Sequence, residues 1–410
     1  MKSSDWDWAD AKTRYLTFGL HDYPARMIPQ IPERLIRRYL LKNGFKRNNS
    51  LVVDPFCGSG AVLAQARLLH LNAAGNDVNP LAKLISEVHA SPVGNTFAEE
   101  AKQIRLHIHE ASLEKEGDFS QVSIHEFPNF DHWFKLPVLR ELSWLRNQIV
   151  SVKNSVVQRF LWFCFSIAQF KVSNIDRSSS RFIRVMKASQ LNYHAPNPLN
   201  IFFSTFDYAL TRVEAFSKRC CKNNNTEVFL GDAQKIALPD QSASMVITSP
   251  PYGEERNTLD YLRWSKLSLY WMGMTQKRLL SYKKQGLGNQ RSDDLQTPSK
   301  TATAILFQVA RQKPKRALES AAFFRNYLSA LKEIERILAP GAYACIVIGD
   351  RSISRRTVDM NTITVELAPL ANLAYITSFY RQIPRKLIPS RTPTGATISK
   401  ENIVILQKNN

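Results

Sequence analysis

The sequence predicts an α/β fold: a doubly wound, mostly parallel seven-stranded sheet with an antiparallel edge strand and a large helical insertion. Three observations lead there. Short apolar runs alternate with helical patterns near both ends of the chain, the signature of strands joined by crossover helices. One of those runs, Leu51-Val-Val-Asp54, gives out into a glycine loop and then a helix start. Between the two α/β stretches, from Thr96 to about Phe216, the pattern is helical throughout.

The elements follow in order. Pro32 to Leu41 reads as a helix with Leu35, Ile36, Tyr39 and Leu40 on one face. The strand at 51–54 and a second at Asn72 to Asn76 bracket a helix running from Ala61 through Leu69. Pro80 to His89 is the next helix. Within the insertion, helices are expected over Glu99 to Leu113, Pro137 to Val152 and Gln158 to Phe170, the last apolar almost all round and therefore central. After a polar linker, Cys220 to Thr226, the α/β pattern resumes: strands Glu227 to Leu230 and Met245 to Thr248, then a helix from Thr258 to Met272. Lys277 to Lys315 is polar and basic, with little apolar periodicity outside Ala302 to Val309. A helix over Leu318 to Leu338, a strand over Ala342 to Ile348 and a helix over Thr362 to Ala374 come next. Strands Tyr375 to Arg381 and Asn402 to Gln407 close the chain as an antiparallel pair at the sheet edge.

Two loops carry chemistry. In Met245-Val-Ile-Thr-Ser-Pro-Pro-Tyr-Gly253 an apolar strand ends at two consecutive prolines. They fix φ and remove two backbone donors, leaving nearby carbonyls as bare acceptors. A hydroxyl and an aromatic face stand beside them. Such a loop can stack a planar ring and grip an exocyclic amine between two oxygens; the plainer alternative is a proline turn plugged by a tyrosine. In Asp54-Pro-Phe-Cys-Gly-Ser-Gly60 the glycines let a ligand approach the backbone, and the helix start offers free N–H groups. Asp77 ends the next strand about twenty residues on, the distance at which ribose hydroxyls are read in nucleotide folds. The glycine spacing does not match a Walker loop and no Lys-Ser/Thr pair follows, so a nucleoside without a pyrophosphate fits better.

These residues resemble a known family, the amino-group DNA methyltransferases that use S-adenosylmethionine. Asp54 to Gly60 is similar to their cofactor loop and Asn76-Asp-Val-Asn-Pro80 to their ribose-binding segment. Thr248-Ser-Pro-Pro-Tyr-Gly253 is similar to their catalytic loop. His21-Asp-Tyr-Pro-Ala-Arg-Met-Ile-Pro-Gln-Ile-Pro32 resembles the segment covering the methionine end of the cofactor, and Phe229-Leu-Gly-Asp-Ala233 the strand end whose acid contacts adenine. The resemblance implies a Rossmann-like methyltransferase fold, with S-adenosylmethionine as cofactor and no metal. Tyr23 and Pro24 close the cofactor site, Phe56, Gly58 and Gly60 pack against it, Asp77 takes the ribose and Asp232 the adenine amine. Asp54 either orders the loop or meets the amino-acid end. For each acid the alternative is a helix cap or turn residue. Ser249, Pro250, Pro251 and Tyr252 are the implied catalytic residues, acting on a flipped-out base. Serine at the first position is what the family's cytosine-N4 members usually carry, and Asp or Asn its adenine-N6 members. Cytosine N4 is thus the first expectation and adenine N6 the alternative. An RNA base-amine methyltransferase and an inactive DNA-binding subunit are further rivals.

Composition agrees. The net charge is +20, from 55 Lys and Arg against 35 Asp and Glu, and nucleic acid is the obvious polyanion for it. Duplex DNA is the expected partner, with a restriction endonuclease acting on the same site as a possible second. The five cysteines form no C-x-x-C pair, so a reduced compartment without structural zinc is expected. With no signal-peptide pattern and no membrane-length apolar run, the expected location is cytoplasmic. The chain divides into 1–90, the covering segment and cofactor half; 91–225, the helical insertion and candidate target-recognition region; 226–275, the catalytic half; 276–317, a basic DNA-contacting stretch; and 318–410, the rest of the sheet.

Overall fold

A computed structural model describes residues 6–24, 26–43, 49–176, 185–191, 196–251, 261–288, 292–354, 356–383, 391–392, 395–396 and 399–410, with the side chains of 43, 188, 261, 263, 391–392 and 395–396 left out. Helix α1 (Gln30–Tyr39) precedes β1 (Leu51–Asp54), α2 (Ala61–Leu68), β2 (Asn72–Asp77) and α3 (Pro80–Ala90). The insertion follows as α4 (Asn95–Leu113), the short α5 (Phe130–Trp133), α6 (Leu136–Val150), α7 (Ser155–Val172), the short α8 (Ala188–Leu191) and α9 (Pro198–Ser217). Strands β3 (Thr226–Leu230) and β4 (Ala243–Thr248) lead into α10 (Tyr261–Trp271), α11 (Gln276–Gln285), α12 (Lys300–Ala310) and α13 (Pro314–Ile337). Then come β5 (Leu338–Gly349), the hairpin β6 (Arg351–Ile353) and β7 (Arg356–Val358), and α14 (Met360–Leu367). The chain ends with β8 (Leu373–Gln382), the two-residue β9 (Arg391–Thr392) and β10 (Gly395–Ala396), and β11 (Lys400–Lys408).

All seven strands expected from the sequence join one sheet, in the order β3-β2-β1-β4-β5-β11-β8. Pairing is parallel from β3 to β5 and antiparallel where β11 inserts between β5 and the edge strand β8. Both faces are covered, so successive residues alternate between two cores. Val52, Met245, Ile247 and Cys345 pack with α1 and α2, whereas Val53, Val246, Ala344 and Ile346 pack with α12, α13 and α14. This is a doubly wound, Rossmann-like α/β fold. From β1 the chain steps outward one way to β2 and β3, then returns to β4 beside β1 and steps the other way to β5. The switch point therefore lies between the carboxyl ends of β1 and β4, where such sheets hold their ligands.

A third core joins the insertion to the rest. Phe160, Phe163 and Phe165 of α7 are buried with Leu139 and Leu142 of α6, with Leu81 and Ile85 of α3, and with Tyr270, Trp271 and Leu279 of α10 and α11. The stretch 276–317 thus divides: α11 belongs to this core and α12 to the sheet core. The sequence shows no apolar stripe over α11 because Leu279 is its one buried residue. Its helix comes instead from good helix formers behind a Thr275 cap, whose hydroxyl accepts from the Arg278 N–H. No helix among the described residues is long and apolar enough to cross a membrane.

Candidate active site

The glycine loop after β1 is shaped by two left-handed residues, Gly58 at φ +49° and Gly60 at φ +77°. A Cβ on Gly60 would sit 2.9 Å from the Ser86 Cα, and one on Gly58 would meet the Tyr23 ring at 3.4 Å. The loop is held from α3: the Ser86 hydroxyl donates to the Gly58 carbonyl at 2.9 Å, and His89 Nδ1 contacts the Ser59 carbonyl at 2.7 Å. A carbonyl only accepts, so Nδ1 carries the proton and His89 Nε2 is a bare acceptor, buried without a partner. Burial, with the Arg26 charge nearby, pulls the His89 pKa down to about 4 despite that contact. Cys57 is buried, its thiol pushed well above the usual range by desolvation, and Ser86 donates to its sulfur at 3.4 Å. It packs as a small residue.

The strand-end acids converge on this loop. Asp77 Oδ2 accepts from the Gly58 N–H at 2.9 Å and Oδ1 from the Asn79 N–H at 2.8 Å, leaving further lone pairs on both oxygens. Burial raises its pKa to about 6 against those two donors, although one edge of the residue stays partly exposed. Asp232, just past β3, closes its own turn by accepting from the Gln234 N–H at 2.9 Å and from the Gln234 amide. Gln234 is in turn held by Asn326 of α13 at 2.7 Å. So the turn reading expected as the alternative for Asp232 does describe its present bonds, while its carboxylate keeps acceptor capacity.

Asp54 is buried at the switch point itself. Its Oδ1 accepts from the Phe56 N–H at 3.1 Å and from the Thr248 hydroxyl at 2.6 Å. Desolvation raises its pKa to about 7, the two donors pulling it back and the Asp77 charge adding to the rise. Thr248 is the last residue of β4, so this bond ties the glycine loop to the start of Ser249-Pro250-Pro251. Ser249 and Pro251 are partly exposed there and Pro250 is buried. Tyr252 lies outside the described residues.

Three residues given no role from the sequence, Asn76, Asn79 and Arg26, complete the network together with His89. Asn76, buried at the end of β2, donates to the Pro55 carbonyl at 3.3 Å and the Gly231 carbonyl at 3.0 Å, joining the loops after β1 and β3. Asn79 caps α3 and donates to the Tyr23 hydroxyl at 3.2 Å and the Ser265 hydroxyl of α10 at 2.7 Å. It thereby holds the covering segment over the loop and fixes α10. Arg26, partly buried, donates to the His21 carbonyl at 2.8 Å and forms no ion pair among the described residues. With Ser59, Ala61 and His89 it lines a cavity of ≈ 90 Å³ beside the N-terminus of α2. All of these except His89 stand inside the segments singled out from the sequence. Their spacing gave no sign of which partners they would meet. Pro24 follows Tyr23 in the covering segment and is partly exposed. Among the described residues no group of three or more His, Cys, Asp or Glu is placed to hold a metal ion.

Fold and site together define a crevice at the switch point of a doubly wound sheet, lined by a glycine loop and strand-end acids. No family model matches the chain. It is 26% identical over 427 residues to the Type II methyltransferase M.MvaI of Kocuria varians, covering 97% of this chain and 92% of that one. It is 23% identical over 287 residues to the Type II methyltransferase M.BsoBI of Geobacillus stearothermophilus, covering 63% of this chain and 53% of the relative. Among solved structures, a SAM-dependent methyltransferase from Methanosarcina mazei aligns over 90% of this chain and 98% of its own, at 8% identity and a TM-score of 0.33. TrmN from Thermus thermophilus aligns over 93% and 49%, at 10% identity and a TM-score of 0.32. Both scores are too low to superpose one site on another.

Proposed function

We propose that the chain is an S-adenosylmethionine-dependent DNA methyltransferase that modifies the exocyclic N4 amine of cytosine in duplex DNA. The observation that carries this reading is the bond from the Thr248 hydroxyl to Asp54, which joins the strand end before Ser249 to the acid that opens the glycine loop. Likeness to two Type II methyltransferases over most or much of the chain supports it. So does the excess of 55 basic over 35 acidic residues.

The residues fit the cofactor. Phe56, Gly58 and Gly60 leave backbone open to close packing, and Tyr23 and Pro24 close over it. Asp77 accepts from the ribose hydroxyls with its remaining lone pairs and Asp232 from the adenine amine. Arg26 and the first N–H groups of α2 face the carboxylate end, where a helix start favours an anion. Asp54 orders the loop. When bound, S-adenosylmethionine supplies a methyl group activated by its sulfonium.

The target cytosine must leave its stack for the amine to reach that carbon. Tyr252 stacks on the extruded ring. The Ser249 hydroxyl and the Pro250 carbonyl each accept one amine hydrogen, which draws the nitrogen lone pair out of ring conjugation and aims it at the methyl group. Pro251 has no N–H to compete for those acceptors. The buried, neutral Cys57 thiol takes no part, so transfer is direct, with proton loss during or after attack. Positioning and a dry crevice supply the rate enhancement. A restriction endonuclease acting on the same site is the partner this reading implies.

The test is transfer of labelled methyl groups from the cofactor to duplex DNA, followed by digestion to nucleosides. Label in N4-methyl-2′-deoxycytidine is expected. Label in N6-methyladenine moves the chain to the adenine class, label in RNA alone moves it to the RNA rival, and cofactor binding without transfer to either marks an inactive subunit.

A further inference from the structure

Resting on that reading, we infer that helix α11 is the element that grips the phosphates of the duplex beside the extruded base. The ten residues of α11 include Lys277, Arg278, Lys283 and Lys284 and no acid. Lys277, Arg278 and Lys284 are exposed, and none of the three forms an ion pair among the described residues. Arg278 reaches back to the Tyr282 hydroxyl at 3.3 Å. Lys277 and Lys284 stand two turns apart with Leu280 and Ser281 between them, all four exposed, so they share one solvent-facing stripe.

The helix stands at the right edge of the molecule. Ser265 of α10 is pinned to Asn79 at the end of β2, on the same carboxyl edge of the sheet as Ser249. The chain turns at Gly273, φ +85°, where the Met274 N–H returns to the Leu269 carbonyl. It then comes back along α11 to Leu287, which is buried in the core with α12 and α13. The following segment is bound to the first half of α13: the Ser292 N–H donates to the Leu318 carbonyl and Arg325 to the Asp294 carbonyl. Because α13 feeds straight into β5, its first half lies at the carboxyl edge of the sheet, the edge that holds Ser249. Both feet of the α10–α11 hairpin are therefore planted on the catalytic edge.

The outer face of the insertion is different. There Lys102 pairs with Glu214 at 3.3 Å, and Arg105 grips Asp207 through two bonds of 2.8 and 2.7 Å. Cations already paired with carboxylates release no phosphate counterions; those of α11 do. Each phosphate contact adds about 0.9 to the slope of log affinity against log salt.

The experiment compares wild type with the triple variant Lys277→Gln, Arg278→Gln, Lys284→Gln, titrated with a fluorescent random-sequence duplex at several salt concentrations. Glutamine keeps helix propensity, and thermal melting with cofactor titration verifies that fold and cofactor site are intact. The expected result is a slope shallower by about 2.7 and affinity weaker by about 10²-fold near 0.15 M salt, while Lys102→Gln keeps the wild-type slope. A triple variant with the wild-type slope, in a protein that binds the duplex, overturns the role of α11 alone. Wild type that binds cofactor but no duplex overturns the DNA reading beneath it, and α11 with it.

Discussion

On one side of the switch point, the loops after β1, β2 and β3 are laced together by buried side chains: Asn76 spans two of them, Asp77 holds Gly58, and Asn79 holds Tyr23. On the other side, the loop after β4 joins that network through the Thr248 hydroxyl. Under the proposed function, the difference follows from what each side must do. A cofactor exchanged between turnovers is best met by a preformed cradle, whose polar groups satisfy one another and keep spare lone pairs for the ligand. A base that has to swing in from a duplex needs acceptors with few competing donors, and two adjacent prolines provide that.

Separable kinetics should follow, and Ser249→Ala is the sharpest probe. Removing one of two acceptors for the amine is expected to lower the transfer rate by about 10²–10³-fold, as loss of a single preorganised polar group does elsewhere. Cofactor affinity should stay within about twofold, since the groups proposed to hold the cofactor belong to the loops after β1, β2 and β3 and to the covering segment. Tyr252→Ala should behave alike through lost stacking, about 1–3 kcal/mol, expressed mainly in DNA affinity. Single-turnover transfer and calorimetric cofactor binding on the same preparations decide it. Matching losses in both would erase the division between the sides.

Gly60→Ala is the converse probe. A residue with a side chain is strained at φ +77°, and the added Cβ must displace the backbone of α3 at Ser86. A stability loss of about 1–3 kcal/mol is expected, together with weaker cofactor binding, whereas DNA affinity without cofactor should hold. Denaturant unfolding and duplex titration check the two halves of that statement.

Thr248→Val cuts the tie between the sides and should do less. It leaves Asp54 with the bond from the Phe56 N–H and costs about 1–2 kcal/mol of stability near neutral pH. Cofactor affinity and transfer rate should both fall, by under about tenfold, because each side retains its own contacts. An unchanged rate would show that the loops hold their relative position without this bond.

Much of this was legible in the chain because it is local. The strand, glycine loop and helix start at 51–68 and the proline pair after β4 are read from neighbours in sequence, and all seven strands fell where the patterns put them. The lacework was not. Asn79 meets Ser265 across 186 positions and Asn76 meets Gly231 across 155, and no periodicity links such pairs. Asn79 has the look of an ordinary helix cap, which it also is. Helix α11 escaped because an exposed helix with one buried residue, Leu279, leaves no apolar stripe. Arg26 stood in plain view within the covering segment, but that it would lack an acid partner is a property of the folded surroundings.

A further expected effect, spread over pH rather than read at one condition, lies in the pH dependence of the cofactor side. Asp77 titrates at about 6 in the fold against an ordinary 3.8, because burial disfavours its charge. Between those two values the folded protein holds a proton that the unfolded chain has released. The contribution of Asp77 to the stability of the ligand-free protein therefore falls as pH rises from about 4 to 6 and is flat above, by an amount on the order of 2–3 kcal/mol. Asp77→Asn cannot titrate, so its stability relative to wild type should climb across that window. Cofactor affinity should run the opposite way in wild type, strengthening as the carboxylate ionises to accept from ribose hydroxyls, and should be flat in the variant. Urea unfolding and cofactor titration from pH 4.5 to 8 measure both. Parallel slopes would mean that Asp77 is only a turn-closing acid, held by Gly58 and Asn79, and that the ribose is read elsewhere. Opposed slopes would mean that the ionised carboxylate weakens the empty fold and strengthens ligand binding, as the remaining lone pairs on its two oxygens require.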